Sequence, residues 1–283
     1  MSPGHVEPFR WNLARREQLG RLLAGAFDGD PWWCDDEFQL CCARILAHTE
    51  GHRVFFVGRS LESAFDYLSG ALCDTSAADR LNLFLFSMRY RSATPTALAA
   101  MRDYMRALHL DPRGVARSAV AFVDVVWSGE TFSNLVGLLR DWCDEEETDW
   151  HAVRRNIRIV GVTQRTKTSP KTWRWHQHSD AMAMLPADAV KNVSLEPRMW
   201  SYLGNHQPKI TGSYDPRRWG DDDVAHPDHN EKQVTALQEA WHIFEDGRTP
   251  AGRSRLAAMM TKTSGMQHAW FRRLLTEVKQ SAG

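Results

Sequence analysis

The sequence lacks the features that mark membrane-spanning, secreted and strongly charged proteins. No apolar run approaches the roughly 18–20 residues that cross a bilayer. The first ten residues hold no apolar stretch of the kind found in secretory signals. Lys plus Arg and Asp plus Glu number 35 each, so the formal net charge is zero. There is therefore no global attraction to nucleic acid or to an anionic membrane, and neither is the expected partner.

Cysteine is scarce and is not arranged as a disulfide framework. The five cysteines are an odd number and include no Cys-x-x-Cys pair. We interpret them as mostly reduced thiols, which favours a cytoplasmic location. A zinc site formed by Cys34, Cys41 and Cys42 is the less favoured alternative. His226 and His229 flank a proline and fit a surface loop better than a metal site, so we predict no metal-ligating residues.

The composition is that of a globular protein with a sizeable core. Hydrophobic residues make up 43% of the chain and charged residues 25%, which excludes a disordered chain, a fibrous chain and a small disulfide-stabilised scaffold. A length of 283 residues allows one large domain or two small ones.

Four short apolar runs separated by helical stretches dominate the first 165 residues. They span residues 53–57, 81–86, 119–126 and 157–162. The runs are nearly continuous rather than alternating, which is typical of strands buried on both faces. This order predicts an α/β fold with a parallel sheet and helices on both faces.

The remaining segments differ in character from this predicted α/β core, which covers residues 51–163. Residues 1–50 have helical periodicity and form a predicted N-terminal helical segment. Residues 164–230 are polar and rich in Trp, Arg, Lys, Pro and Gly, which indicates an irregular hood or cap. Residues 231–283 contain two predicted helices, about 231–244 and 250–279, that pack on the core.

The end of the third run carries the most informative residues. Asp124 closes the strand, and Ser128, Gly129 and Thr131 follow in a short loop that opens a helix. Such a loop offers backbone N–H groups, two hydroxyls and the positive end of a helix dipole, which together suit an anion. Asp124 could then accept hydrogen bonds from sugar hydroxyls. The alternative is an ordinary strand-to-helix turn in which Thr131 is the helix N-cap.

This stretch resembles the phosphoribosyl diphosphate (PRPP) motif of the type I phosphoribosyltransferases. That motif is a strand, two acids, two small apolar residues and a phosphate loop. Asp124 matches the second acid, but Val123 stands at the first and Trp127 replaces a small residue. The resemblance implies that Asp124 holds the ribose hydroxyls of PRPP or a nucleotide during glycosyl transfer. It also implies a loop for the 5′-phosphate, made of Trp127, Ser128, Gly129, Glu130 and Thr131.

The order of elements extends the resemblance over about residues 50–165. Gly58, Arg59 and Ser60 follow the first strand, where the family binds pyrophosphate. The resemblance implies a phosphoribosyltransferase-like fold, a variable hood over the acceptor, and Mg²⁺ as the cofactor. In the family the metal is coordinated largely through the ligand, so no metal residue is implied.

A basic, tryptophan-rich segment follows the fourth strand. Arg165, Lys167, Trp173 and Trp175 lie within it, and cations beside aromatic rings suit either a base with a phosphate or single-stranded nucleic acid. The resemblance places these residues beside the acceptor pocket, where a tryptophan could stack on a heterocycle. The alternative is that the tryptophans only anchor an irregular segment to the core.

Three hypotheses follow from these residues. The first is a phosphoribosyltransferase, or a close relative, that acts on a small molecule. The second is a regulatory protein that binds PRPP or a nucleotide without turnover, which the missing first acid favours. The third is a different α/β enzyme or an RNA-binding protein that uses the basic segment 165–176. The sequence leaves open the acceptor, the direction of the reaction and the oligomeric state, for which a homodimer is one option.

Overall fold

A parallel β-sheet forms the centre of the computed structural model, which describes residues 10, 11, 13, 19, 29–86, 93–165, 175–212 and 230–282. The strands, in chain order, are β1 Arg53–Val57, β2 Leu81–Phe84, β3 Val120–Val126, β4 Ile157–Gln164 and β5 Val190–Leu195. Their order across the sheet is β2-β1-β3-β4-β5, and every neighbouring pair is parallel. The predicted α/β fold with a parallel sheet is confirmed.

Helices connect and cover the strands. In chain order they are α1 Asp36–His48, α2 Glu62–Leu72, α3 Pro95–Ala107, α4 Pro112–Arg117, α5 Glu130–Glu145, α6 Trp150–Arg155, α7 Asp180–Ala183, α8 Pro197–Ser201, α9 Glu231–Arg248, α10 Pro250–Met260 and α11 Ala269–Gln280. Short 3-10 turns lie at Trp32–Cys34, Ala78–Arg80, Trp175–His178 and Ser264–Gln267, and a π-helical turn spans Tyr202–His206.

Local sequence explains where several of these helices begin. Thr94, Asp111 and Thr249 each precede a proline, and each accepts a hydrogen bond from a backbone N–H of the first turn. A capping oxygen followed by proline at the first helical position is a strong start signal, because proline has no N–H to leave unpaired there.

The two faces of the sheet bury separate apolar clusters. On one face, Val54, Phe56 and Val123 pack with α1, α2, α10 and α11. On the other, Phe55 and Phe122 pack with α3, α5 and Trp175. Successive residues of a strand point to opposite faces, so the continuous apolar runs supply both clusters.

The region predicted as an irregular hood contains regular structure as well. β5 lies within it and pairs with β4 from Ile159 with Val190 to Gln164 with Leu195. The expectation of an irregular excursion from 164 to 230 is wrong for this part. The predicted helix 250–279 is two helices, α10 and α11, separated by the turn at Ser264–Gln267. Much of the predicted N-terminal helical pattern lies outside the described residues.

Candidate functional site

The site lies where the connections between strands diverge. β1 and β3 are neighbours, but the chain leaves β1 toward β2 on one side and leaves β3 toward β4 on the other. In open α/β sheets, ligands bind in the crevice beyond the carboxyl ends of the strands at such a point. A cavity of about 280 Å³ occurs there. It is lined by Ser60, residues 124–132, Trp200, Gly204 and Asn205.

Asp124 supplies a buried carboxyl group to this cavity. Its side chain is 7% exposed, and Oδ1 accepts a hydrogen bond of 2.7 Å from the backbone N–H of Val125. Burial raises the pKa of Asp124 to about 8, against the smaller lowering effects of the Val125 N–H and the positive charge of Lys209. A carboxyl with this pKa is mostly protonated at neutral pH, so it can both donate a hydrogen bond to a ligand hydroxyl and accept one from it.

The loop after β3 turns at Gly129 into the 16-residue helix α5. Gly129 has φ +82° and is the N-cap. A Cβ there would lie 2.1 Å from Cε3 of Trp175, so only glycine fits. The alternative hypothesis, in which Thr131 is the helix N-cap, is wrong, since Thr131 lies inside the first turn. The first N–H groups of α5 have no partners within the helix, and they carry the positive end of its dipole.

The hydroxyls of this loop are available to a ligand. Ser128 is exposed and Thr131 is half-buried, and both line the cavity. Within the described part of the chain, neither hydroxyl is engaged in a hydrogen bond. Glu130 also lies in the first turn, with an exposed side chain. The loop therefore combines free donors with a helix N-terminus, as the sequence predicts for an anion site.

The loop after β1 is divided between two cavities. Gly58 has φ +68°, and its N–H donates to the Phe84 carbonyl oxygen over 2.8 Å. Ser60 lines the same cavity as Asp124. The Arg59 guanidinium instead donates from Nη1 to the Thr211 carbonyl oxygen over 2.8 Å and lines a second cavity of about 590 Å³. The three residues predicted to bind pyrophosphate are thus not brought together in one cavity.

Lys209 is a charged neighbour of the site to which sequence analysis gave no role. Its Nζ donates to the Leu203 carbonyl oxygen over 3.0 Å and to Gln207 Oε1 over 3.3 Å. Burial lowers the pKa of Lys209 to about 8, while the negative charges of Glu62 and Asp124 act to raise it. Lys209 lines the second cavity with Arg59. No motif marks it, because it follows Asp124 by more than eighty residues and only the folded chain places them near each other.

Two tryptophans stand at the edge of the Asp124 cavity. Trp127 is 75% exposed, whereas the other large hydrophobic side chains among the described residues are buried or half-buried. Its ring centroid lies 5.7 Å from that of Trp200, at an interplanar angle of 40°. Trp200 is 6% exposed and donates from Nε1 to the Val162 carbonyl oxygen over 3.1 Å. Trp127 therefore sits on a fixed aromatic neighbour.

The residues predicted to border an acceptor pocket are placed elsewhere. Trp175 is 1% exposed, stacks on Phe132 at a centroid distance of 5.7 Å, and donates from Nε1 to Asn192 Oδ1 over 2.7 Å. A ring buried this way offers no face to a heterocycle, so the stacking role predicted for Trp175 does not fit its placement. Trp175 anchors its segment to the core, as the alternative hypothesis predicts for it.

Arg165 likewise does not reach the cavity. Its guanidinium pairs with the Glu37 carboxylate at the start of α1, with Nη2 and Oε2 2.8 Å apart. Lys167 and Trp173 lie outside the described residues, as does the segment around His226 and His229.

Neither a metal cluster nor a membrane span is found in the part of the chain that the structure describes. No three His, Cys, Asp or Glu side chains there are grouped so that they could hold a metal ion. Among the described helices, none combines the length and apolarity needed to cross a bilayer. Comparisons with protein-family models, with curated proteins and with solved structures found no significant match.

Proposed function

We propose that the protein binds a ribose 5-phosphate group, as part of PRPP or a nucleotide, and transfers it as a phosphoribosyltransferase does. One observation carries the proposal. The Asp124 carboxyl and the N-terminus of α5, with the Ser128 and Thr131 hydroxyls, line the same cavity at the topological switch of the sheet. A sugar phosphate requires two such groups side by side: one that accepts hydrogen bonds from the sugar hydroxyls and one that binds the phosphate anion.

The roles of the chain follow from this arrangement. Asp124 accepts hydrogen bonds from the ribose hydroxyls, and the loop 128–131 donates to the phosphate oxygens. In the transfer step, the bond from the anomeric carbon to the leaving group breaks and a bond to the acceptor forms, while positive charge develops on the ribose. The protein contributes by orienting the ribose and by placing positive charge near a leaving diphosphate. Arg59 and Lys209, which line the second cavity, are the cations that we assign to that second task.

The Mg²⁺ implied by the resemblance has no preformed protein site among the described residues. The cavity offers the carboxyl groups of Asp124 and Glu130. Mg²⁺ commonly binds through one or two carboxylates together with substrate phosphates. We therefore assign the ion to the ligand rather than to the protein.

Calorimetric titration with ribose 5-phosphate, and with PRPP in the presence of Mg²⁺, tests the proposal. We expect both to bind, and we expect Asp124→Asn to weaken binding at least tenfold above pH 8. Asp103→Asn is the matched control, because Asp103 is an exposed residue of α3 whose ion pair with Arg106 is local. Absence of binding by the natural protein, or equal binding by Asp124→Asn, would contradict the proposal.

A protein that binds this ligand without turning it over is the second candidate. Val123, at the position of the family's first acid, is fully buried in the apolar cluster that faces α1 and α2. The ribose therefore lacks the second carboxylate that the family provides. Release of pyrophosphate from PRPP in the presence of an acceptor panel separates the two candidates, since a binding protein would protect PRPP and release none. Among the described residues of the basic segment 165–176, Trp175 is buried and Arg165 is paired with Glu37, so neither supports RNA binding.

A further inference from the structure

Trp127 is exposed at a place where exposure needs an explanation. Tryptophan has a large apolar surface that most proteins bury at least in part. Trp127 nevertheless keeps three-quarters of its surface in solvent, immediately before the loop that lines the cavity. An exposed aromatic ring at a cavity mouth suits a planar ligand that completes its burial.

The neighbours of Trp127 hold it in position. Trp200 packs against it with a centroid distance of 5.7 Å, and Trp200 is itself fixed by its hydrogen bond to the Val162 carbonyl oxygen on β4. Because Trp200 is buried, it is a rigid support rather than a second ligand surface. The free ring surface in this pair therefore belongs to Trp127.

The turn that follows Trp200 adds polar groups to the cavity lining. Gly204 and Asn205 lie in the π-helical turn Tyr202–His206, and both line the cavity. The side chain of Asn205 is exposed, and its amide offers both donors and an acceptor, the combination that pairs with the edge of a nitrogen heterocycle. π-helical turns of this kind are rare and are frequent at functional sites.

The size of the cavity indicates which part of a ligand it encloses. Its volume of about 280 Å³ is just below the range of about 300–1,000 Å³ that is usual for small-molecule sites. A ribose phosphate bound to Asp124 and the loop would occupy much of that volume. A heterocycle attached to the ribose would then extend to the mouth, where Trp127 is exposed.

We propose that Trp127 stacks on the planar heterocycle of a nucleoside monophosphate, or of the acceptor that becomes one, with Asn205 contacting the edge of the ring. This inference rests on the proposed function, because Asp124 and the loop must hold the ribose phosphate. It assigns to Trp127 a contact with the heterocycle, which differs from the phosphate-loop role that the resemblance implies for it.

Affinities for ribose 5-phosphate and for AMP, GMP, CMP and UMP, measured by calorimetry, provide the test. We expect at least one nucleotide to bind about tenfold or more tightly than ribose 5-phosphate, since stacking on an aromatic side chain adds this much. In Trp127→Leu the ratio of the two affinities should fall to about one, and in Trp127→Phe it should be partly retained. Trp150→Leu is the matched control, because Trp150 is half-buried and begins α6, which leads into the amino end of β4, away from the cavity.

The outcomes separate this inference from the proposed function. If ribose 5-phosphate binds in an Asp124-dependent way but no nucleotide binds more tightly, stacking is refuted and the proposed function stands. A preference for nucleotides that Trp127→Leu retains also refutes it. If nucleotides bind in a Trp127-dependent way while ribose 5-phosphate binding is independent of Asp124, stacking is supported and the proposed function fails. Trp127→Leu should melt within about 2 °C of the natural protein, because the side chain is exposed.

Discussion

Replacing Asp124 by Asn should make the protein more stable at neutral pH. Burial raises the pKa of Asp124 from 3.8 to about 8, so at pH 7 the folded protein keeps a proton that the unfolded chain releases. This difference favours the unfolded state. Asn has nearly the same shape, can accept the same hydrogen bond from the Val125 N–H, and has no proton to lose. The cost of placing an acid in this cavity is therefore removed in the variant.

The magnitude follows from the interval between the two pKa values. About three pH units separate 3.8 from pH 7, and each unit is worth about 1.36 kcal/mol, which gives about 4 kcal/mol. Because the pKa of Asp124 is higher in the folded protein than in the unfolded chain, its carboxyl causes no loss of stability below pH 3.8. The folded protein then loses stability as the pH rises from 3.8 to about 8. At about 2 °C per kcal/mol for a chain of this length, Asp124→Asn should melt about 8 °C higher at pH 7.

Urea and thermal unfolding of both proteins from pH 5 to pH 9 measure this difference. It should grow by about 1.4 kcal/mol per pH unit up to pH 8 and then become constant. Lys209 has a lowered pKa, so it makes stability rise between about pH 8 and 10.5. Because the charge of Asp124 also acts on Lys209, the slope between pH 5 and 7, below that range, is the part of the difference that reports Asp124. Asp103→Asn should show no such trend. If Asp124→Asn is less stable than the natural protein, or if the difference does not change with pH, then the carboxyl is ionised in the folded state and the reasoning is wrong.

Three further predictions concern the same region. Affinity for ribose 5-phosphate should rise several-fold from pH 7 to pH 8, because deprotonation turns Asp124 into a charged group that only accepts hydrogen bonds from the ribose hydroxyls; calorimetry should find the rise absent in Asp124→Asn. Gly129→Ala should cost about 2–4 kcal/mol in urea unfolding, since φ +82° is strained for alanine and its Cβ would overlap Trp175; a cost below 1 kcal/mol would contradict this packing. Arg165→Ala should change the free energy of unfolding by less than about 1 kcal/mol, since its pair with Glu37 is half-exposed; a larger loss would show that the pair supports the fold.

The central strands could be predicted from sequence because burial on both faces leaves an unmistakable run of apolar residues. β3, for example, is VAFVDVV, in which Asp124 is the one charged residue. β5 escaped prediction for the opposite reason. It is an edge strand with the sequence VKNVSL, and Lys191, Asn192 and Ser194 interrupt its apolar residues. Pairing with β4 stabilises it, and that pairing is a long-range property that no local pattern reports.

The candidate site likewise contains residues that the sequence brings together and residues that only the fold brings together. Asp124 and the loop 127–131 are contiguous, so a strand, a turn and a helix in sequence were enough to bring them together. Trp200 and Asn205 join them from a segment about seventy residues later. Their arrival depends on how β5 pairs with β4 and on the turn at residues 202–206. The sequence marks Trp200 and Asn205 only as aromatic and amide side chains of the predicted hood, and it does not place them beside Asp124.

Trp175 shows why a tryptophan in a basic segment could not be assigned from sequence. Its ring lies against two glycines that are thirty-two residues apart, Gly129 at the start of α5 and Gly161 on β4. A Cβ on either residue would meet the indole at 3.2 Å or closer. The space for the indole exists because both residues are glycines without a side chain. The two glycines lie on different elements, so only the folded structure shows that they accommodate one tryptophan.

The position of Val123 follows from the same geometry of the strand. Neighbouring residues of β3 point to opposite faces, so Phe122 joins the cluster with α3 and α5, and Val123 joins the cluster with α1 and α2. Asp124 alternates back toward the side of Phe122, at the end of the strand that meets the cavity. A carboxylate at position 123 would start from the opposite, apolar side, among Val54, Phe56 and Val160. The absence of the first acid is therefore tied to the packing of the core in this protein. A ribose bound here must obtain its second polar contact from another element, and Ser60, in the loop after the neighbouring strand β1, already lines the same cavity.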